Sequence, residues 1–401
     1  MYQGHNPREL VQAFDSPLYV YNEEILRTRC REMKNLVTYK NFAVNYAIKA
    51  NTNIHLMSIV REEGLCADVS SPGEIAAAFA AGYTADELFF IVNGASPAEL
   101  QYAIDRNVRI SVDSLSQLET YGKLNHGGEI ALRFNPGIGG GHHEKVVTGG
   151  DGTKFGIMPE FIPQVKELLA KYDLRLVGIN HHIGSQNWGD LYLEGVHELL
   201  KLANEFPGLD FIDLGGGFAI PYNKQGGEKP MDLISLGTAL DKLMTEFAAS
   251  YGKEVKFFIE PGRYIVAECG VLLGTINCKK TCGSVKYVGT DIGFSVFARP
   301  MLYDAHHDIE VYSNEKKDTS EVVSLVGNQC ESGDYIAKDR LLPALSEGDI
   351  FGVMDAGAYG YSMASQYNHR PRPAEILIQK DGRVKQIRRR ETYADMLNTM
   401  L

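Results

Sequence analysis

The sequence lacks three features, and each absence excludes a class of protein. No apolar run approaches the roughly 18 residues that a membrane span needs, so we expect no membrane partner. None of the six cysteines belongs to a paired CxxC framework, and we expect reduced thiols rather than disulfides. Positive charge is in deficit, because 40 basic residues face 51 acidic ones and the formal net charge is −11. That charge argues against nucleic acid as a partner.

The chain does contain enough apolar material for a large core. It has 401 residues, of which 44% are hydrophobic and 23% are charged, so it is globular and too long for one small domain. The segment Met1–Pro7 has no charged-then-apolar signal layout. Together with the expected reduced thiols, this predicts a cytoplasmic protein.

From about residue 41, apolar β-rich runs alternate with amphipathic helical patterns. The predicted strands are Phe42–Ile48, Leu65–Val69, Leu88–Val92, Val108–Val112, Ile130–Phe134, Leu176–Ile183, Phe211–Leu214 and Val255–Ile259. Such alternation is typical of strand–helix units on a parallel sheet. The count of eight favours a closed (β/α)8 barrel of the TIM type over an open doubly wound sheet.

After Pro261 the pattern changes to short alternating runs between turn residues, which predicts a carboxy-terminal β domain. The predicted strands there are Tyr264–Ala267, Val285–Val288, Val322–Val326, Asp349–Val353 and Ala374–Ile378. The strand-like segment Pro17–Tyr21 is expected to join the same sheet. We therefore predict an N-terminal segment of the β domain at 1–28, the barrel at 29–264 and the C-terminal β domain at 265–401.

The stretch Gly137–Thr153 is rich in Gly and His and has no apolar periodicity. This composition predicts a mobile loop after the fifth barrel strand. Its Gly141–Glu144 cluster has side chains that bind metals, but a solvated loop is the favoured interpretation and no metal is predicted.

Polar residues at the carboxyl ends of the predicted strands are candidates for an active site, since βα loops form the site in such barrels. Lys49 ends an apolar strand, and is either a snorkelling side chain or a Schiff-base nucleophile. The run Gly215–Gly217 exposes backbone amides as a phosphate cradle requires, although a plain tight turn has the same composition. Glu260 and Arg263 flank a Pro-Gly pair and form either a surface ion pair or an anion site. The other candidates are Asp68, Arg133, Asn135, His181 and His182.

A lysine, two anion-binding elements and a carboxylate at one barrel mouth suit a phosphorylated carbonyl cofactor, and pyridoxal 5'-phosphate fits best. Its aldehyde would take Lys49, and its phosphate would take the glycine run and Arg263. Its pyridine nitrogen would take Glu260, which keeps the ring protonated as an electron sink.

Six motifs then carry a resemblance to a known family. They are Tyr46–Asn51, His182–Gln186, Gly215–Gly217, Glu260–Arg263, Cys330–Asp334 and Asp355–Gly360. In this order they resemble the barrel-type pyridoxal-phosphate-dependent decarboxylases, and most closely the diaminopimelate decarboxylases, over essentially the whole chain. The resemblance implies decarboxylation of meso-2,6-diaminopimelate to L-lysine and carbon dioxide, the last step of lysine biosynthesis.

The resemblance also implies roles for individual residues. Lys49 would bind the cofactor covalently, His182 would stack on its ring and Glu260 would pair with its ring nitrogen. Its phosphate would be held by Ser185, Gly215, Gly216, Gly217, Gly262, Arg263 and Tyr359. Substrate would contact Arg263, Arg299, Tyr303, Glu331 and Tyr359. Cys330 would be the proton donor, and its segment would reach the partner subunit's site, which implies a homodimer with shared active sites.

Several alternatives stay open. Arg299 and Tyr303 suit a distal carboxylate and so favour diaminopimelate over ornithine, lysine or arginine, although Arg299 is also interpretable as an interface ion pair. A decarboxylase of such a basic amino acid is the main alternative. A cofactor-free Schiff-base aldolase would leave Glu260 and the glycine run unused. A noncatalytic homologue is disfavoured by the presence of Lys49 and Cys330.

Overall fold

The computed structural model describes residues 1–141, 143, 145, 147–150, 152–313 and 319–400. It divides into two compact units. The barrel unit comprises Arg29–Ile220 and Pro230–Ile265, and the sheet unit comprises Met1–Thr28, Pro221–Lys229 and Val266–Leu401. The segment Pro221–Lys229 lies within the predicted barrel range but belongs to the sheet unit.

Eight parallel strands close the barrel in chain order, which confirms the predicted architecture. They are β2 (Phe42–Ala47), β3 (Cys66–Val69), β4 (Leu88–Ile91), β5 (Arg109–Val112), β6 (Glu129–Arg133), β7 (Arg175–Asn180), β8 (Phe211–Asp213) and β9 (Lys256–Ile259). The helices between them are α3 (Ile54–Glu62), α4 (Pro72–Ala80), α5 (Pro97–Ile104), α6 (Leu115–Leu124), α7 (Ile162–Lys171), α8 (Asp190–Ala203) and α9 (Leu233–Tyr251). Helix α2 (Glu23–Lys34) precedes them.

The barrel interior is filled by an apolar layer. Its buried members are Phe89, Ala131, Val177, Phe211 and Phe258, with Ala43 and Ile91 packed against them. Side chains alternate across a strand, so the residue two positions further along points to the same side. On β2 and β8, and directly after β9, that residue is polar: Asn45, Asp213 and Glu260. The chain therefore places a buried polar layer on top of an apolar one.

Among the described residues, the sheet unit has nine strands in a mixed sheet. They are β1 (Leu18–Asn22), β10 (Gly270–Cys282), β11 (Val285–Thr290), β12 (Ile309–Tyr312), β13 (Ser320–Val326), β14 (Tyr335–Pro343), β15 (Ile350–Val353), β16 (Ala374–Ile378) and β17 (Val384–Arg388). Strand β1 pairs antiparallel with β10 and parallel with β16, so the amino-terminal strand joins this sheet as predicted. The short helices of the unit are α1 (Pro7–Phe14), α11 (Arg299–Tyr303) and α12 (Tyr393–Leu397).

The predicted strand Tyr264–Ala267 is wrong, because three of its four residues lie in a short helix, α10 (Arg263–Val266). The β-branched residues favour a strand by propensity, but the chain bends at Gly262. A Cβ on Gly262 would stand 3.1 Å from the Cβ of Ala47, which shows how closely this bend packs on the end of β2. The backbone NH of Ile265 then bonds to the carbonyl of Gly262 at 3.1 Å, so tertiary packing overrides local preference.

Among the helices of the described ranges, none has both the length and the apolar content needed to cross a membrane. The described residues also contain no group of three or more His, Cys, Asp or Glu side chains placed to hold a metal. Of the loop cluster considered above, His142 and Glu144 lie outside the described residues.

Candidate active site

Lys49 lies in a single helical turn, Ile48–Ala50, directly after β2. Its ammonium group contacts Oδ2 of Asp68, on β3, at 3.1 Å. The side chain of Lys49 is 43% exposed, whereas that of Asp68 is 1% exposed. The amine therefore stands at the open end of the barrel with a buried carboxylate holding its position.

Glu260 and Asp213 form a buried carboxyl pair below this lysine. Asp213 accepts hydrogen bonds from the backbone NH of Gly215 and from Nδ2 of Asn45, both at 2.9 Å, and its carboxyl also bonds to Glu260. Burial raises the pKa of Asp213 to about 7. Burial, together with the nearby charges of Asp213 and Asp68, raises the pKa of Glu260 well above its usual value. The pair therefore retains a proton that exposed carboxyls would lose at neutral pH.

Two adjacent histidines follow β7 and differ in their surroundings. His181 is fully buried and its Nε2 bonds to the carbonyl of Leu214 at 2.9 Å. Nδ1 of His182 accepts a hydrogen bond from the backbone NH of Gly216 at 3.2 Å. Burial and the charges of Lys49 and Arg133 lower the pKa of His182 well below its usual value. His182 is therefore a neutral ring, which suits it to packing on a planar partner.

The glycine run after β8 packs against the backbones of neighbouring loops. A Cβ on Gly216 would stand 2.0 Å from the carbonyl oxygen of Glu260. Gly217 has a φ of +106°, which disfavours any other residue there, and a Cβ would stand 2.2 Å from the carbonyl of Gly184. Close by in the same unit, a guanidinium nitrogen of Arg263 donates to the hydroxyl of Ser185 at 2.7 Å.

The remaining predicted residues lie in the sheet unit. Arg299 and Tyr303 occupy the first and last positions of α11, so an i, i+4 spacing places them on one helix face. Arg299 is only 1% exposed and Tyr303 is half-buried. Tyr359 is half-buried with a φ of +55°.

Cys330 and Glu331 are exposed on a loop whose base is anchored. The buried carboxylate of Asp334 accepts from the backbone NH groups of Phe294 at 2.6 Å and Gln329 at 2.8 Å. The NH of Cys330 donates to Oδ1 of Asn368 at 2.8 Å. Cys330 is therefore an exposed loop thiol and not a buried core residue.

Three residues that the structure brings to these sites were not predicted from the sequence. Asp213 contacts Glu260 within the barrel, and Tyr222 and His307 contact Arg299 within the sheet unit. Asp213 could have been found from the sequence, because it is the one charged residue in the otherwise apolar run Phe211–Leu214. No local pattern marks the other two.

The residues of the barrel unit fit pyridoxal phosphate. Oε1 of Glu260 is buried and has no hydrogen-bond partner among the described residues, as expected of an oxygen meant for a ring nitrogen. The glycine run and Arg263 supply backbone amides and a guanidinium for a phosphate, and Lys49 supplies the amine. This donor set matches the ring nitrogen, the phosphate and the aldehyde of that cofactor.

Comparison with known proteins agrees with this geometry. Residues 23–267 match the family described as "Pyridoxal-dependent decarboxylase, pyridoxal binding domain". The diaminopimelate decarboxylase of Methanothermobacter thermautotrophicus is 40% identical over 404 residues, covering 98% of this chain and 94% of the relative. The chain belongs to the diaminopimelate decarboxylase family. Family membership makes the barrel unit a pyridoxal-binding domain.

Solved structures show the same likeness. The diaminopimelate decarboxylase of Helicobacter pylori complexed with L-lysine superposes with a TM-score of 0.89 at 30% identity, covering 98% of each chain. The lysine/ornithine decarboxylase of Vibrio vulnificus complexed with putrescine has a TM-score of 0.79 at 23% identity, covering 92% of this chain and 96% of that one. The second likeness shows a shared fold alone.

The carboxyl pair predicts a pH-dependent effect of Asp213→Asn on stability. The pKa of Asp213 rises from 3.8 to about 7 on folding, so the folded state keeps a proton that the unfolded state releases between about pH 4 and pH 7. Wild-type stability therefore loses this contribution as pH rises through that window. The amide does not titrate, so we expect the melting temperature of Asp213→Asn, relative to wild type, to increase from the acidic to the alkaline end. A difference that stays constant across the window, measured by calorimetry, would contradict the raised pKa.

Proposed function

We propose that this protein decarboxylates meso-2,6-diaminopimelate to L-lysine with pyridoxal phosphate. The observation that carries the proposal is the half-exposed amine of Lys49 above the buried Glu260, whose Oε1 has no partner in the described part of the chain. Full-length similarity to diaminopimelate decarboxylases supports the same activity.

In the barrel unit, each residue has a proposed task. Lys49 would bind the cofactor covalently, and Glu260 would pair with the ring nitrogen. The neutral ring of His182 would pack on the cofactor ring. The phosphate would be held by Ser185, Gly215, Gly216, Gly217, Gly262 and Arg263, with Tyr359 of the sheet unit.

When bound, pyridoxal phosphate supplies an electron-accepting ring for the pair left as the Cα carboxylate departs as carbon dioxide. Two residues of the protein would control the protons that this reaction needs. Glu260 would hold a proton at the ring nitrogen, and its burial beside Asp213 and Asp68, which raises its pKa, favours keeping that proton. The thiol of Cys330 would deliver the proton that replaces the lost carboxylate, and its exposure on an anchored loop leaves it accessible.

We assign the choice of substrate to the charge of its distal group, the one that does not react. Arg299 and Arg263 would bind carboxylate, and Tyr303, Glu331 and Tyr359 would contact the remaining polar groups. Because Arg299 is buried, water would screen its attraction to a carboxylate less than it does at an exposed site. Ornithine, lysine and arginine carry a cation at the distal end and would be disfavoured there.

Arg299→Ala should raise the KM for meso-diaminopimelate and leave cofactor binding unchanged. A charged hydrogen bond contributes about 1.5–3 kcal/mol, so the increase should be roughly tenfold or more. Steady-state kinetics and a cofactor titration measure the two quantities. An unchanged KM would assign Arg299 to the fold instead.

The activity itself is tested on the purified protein with pyridoxal phosphate. We expect an absorption band from bound cofactor, and release of carbon dioxide and lysine when meso-diaminopimelate is added. Ornithine, L-lysine and arginine are the matched comparisons. Faster turnover of ornithine would favour the alternative, a basic amino acid decarboxylase on the same fold, and absence of the band would favour a cofactor-free aldolase.

A homodimer with shared active sites is also proposed, together with a cytoplasmic location. The exposed Cys330 and Glu331 support the shared site, because both project from the surface of their own sheet unit. All six cysteines are free thiols, as a reducing compartment would require.

A further inference from the structure

Arg299 is held by a second buried residue, His307. Nε of Arg299 donates to Nε2 of His307 at 3.1 Å, and both side chains are 1% exposed. The opposite ring nitrogen, Nδ1, lies 2.7 Å from the carbonyl oxygen of Met354. A carbonyl only accepts, so Nδ1 carries the hydrogen and Nε2 of the neutral ring keeps the lone pair that Arg299 needs.

Two aromatic rings confine this pair. The ring of His307 lies 4.7 Å from that of Tyr222 and 4.8 Å from that of Phe297, both in edge-type contact. The guanidinium carbon of Arg299 lies 4.8 Å from the centre of the Tyr222 ring. Rotation of the His307 ring is therefore opposed by the rings of Tyr222 and Phe297, and movement of the Arg299 guanidinium is opposed by the ring of Tyr222.

Tyr222 is itself positioned by the segment Pro221–Lys229. Lys224 pairs with Asp355 and with Glu268, both at 2.8 Å, and the NH of Gln225 donates to Asp308 at 3.0 Å. These bonds attach the segment to residues of the sheet unit that precede His307 in the sequence and to residues that follow it. A guanidinium that is oriented in advance loses less entropy when it binds a planar carboxylate.

We propose that His307 is a positioning residue that orients Arg299 for the distal carboxylate and so contributes to substrate specificity. The inference rests on the proposed function, in which Arg299 binds that group. A purely structural role for the pair predicts lower stability but no preference among ligands. The positioning role predicts a loss confined to ligands that carry the carboxylate.

The test uses two ligands that differ by that group. L-lysine, the proposed product, keeps the distal carboxylate, whereas cadaverine lacks it. Calorimetric titration of the holoenzyme with each ligand measures Kd directly, and kinetics with meso-diaminopimelate measure KM and kcat. His307→Asn keeps a donor for the carbonyl of Met354, but its shorter amide does not reach the position of Nε2 and so removes that acceptor from Arg299. His307→Phe loses both the donor and the acceptor. The control is His306→Asn, since His306 faces Asp308 and Arg340 instead.

We expect both His307 variants to raise the Kd of L-lysine and the KM of diaminopimelate roughly tenfold, with little change in kcat or in the Kd of cadaverine. The control should match wild type. If His307→Phe does not fold, His307→Asn alone decides. Unchanged Kd for L-lysine, or equal losses for both ligands, would overturn the inference. If wild type fails to turn over diaminopimelate at all, the proposed function fails instead.

Discussion

Lys49→Ala is expected to abolish decarboxylation and the visible absorption band of bound cofactor. Lys49 is the one lysine in the described part of the chain that follows a barrel strand within two residues, and Asp68 holds its amine at 3.1 Å. The loss of turnover should exceed about a thousandfold, as is usual when a covalent catalytic group is removed.

Absorbance spectra and turnover assays on the purified variant measure these effects. The matched control is Lys123→Ala, whose side chain is 62% exposed and pairs with Glu119 on its own helix. That variant should keep both the band and the activity, because an exposed ion pair contributes little. A band retained in Lys49→Ala would remove Lys49 from its proposed role.

Mixing two inactive variants, Lys49→Ala and Cys330→Ala, is expected to restore activity if the site is shared between subunits. Each homodimer has two damaged sites. Random exchange makes about half of the dimers mixed, and each mixed dimer has one intact and one doubly damaged site. Recovery should therefore approach roughly a quarter of wild-type activity.

The control mixes Lys49→Ala with Glu260→Ala. Both residues belong to the barrel unit of one chain, so no mixed dimer regains an intact set and no activity should return. Native mass spectrometry shows whether subunits have exchanged. Exchange without recovery in the first mixture would mean that Cys330 acts in its own subunit or is not the proton donor.

Much of the fold was predictable because its signals are local. The period-two and helical patterns identified all eight barrel strands, and four of the five strands predicted after Pro261 are present. The failure at Tyr264–Ala267 shows the limit of propensity: contact between Gly262 and Ala47 bends the chain before a strand can form. Strand-end position likewise predicted Lys49 and Glu260 as site residues, since Glu260 directly follows β9 and Lys49 lies two residues after β2.

The sequence by itself determined the barrel, the joining of the amino-terminal strand to the β domain, and the residues that suit pyridoxal phosphate. Only the tertiary structure decided the pKa values and the orientations of the site residues. The raised pKa of Glu260 depends first on burial and then on the charge of Asp213, 47 positions earlier in the chain. The orientation of Arg299 depends on Tyr222 and His307. The periodicity of a strand or a helix relates residues that are close in the chain, so it leaves a repeating pattern of apolar and polar residues in the sequence. Burial and charge proximity arise between distant residues once the barrel closes and the sheet assembles, so no local pattern records them.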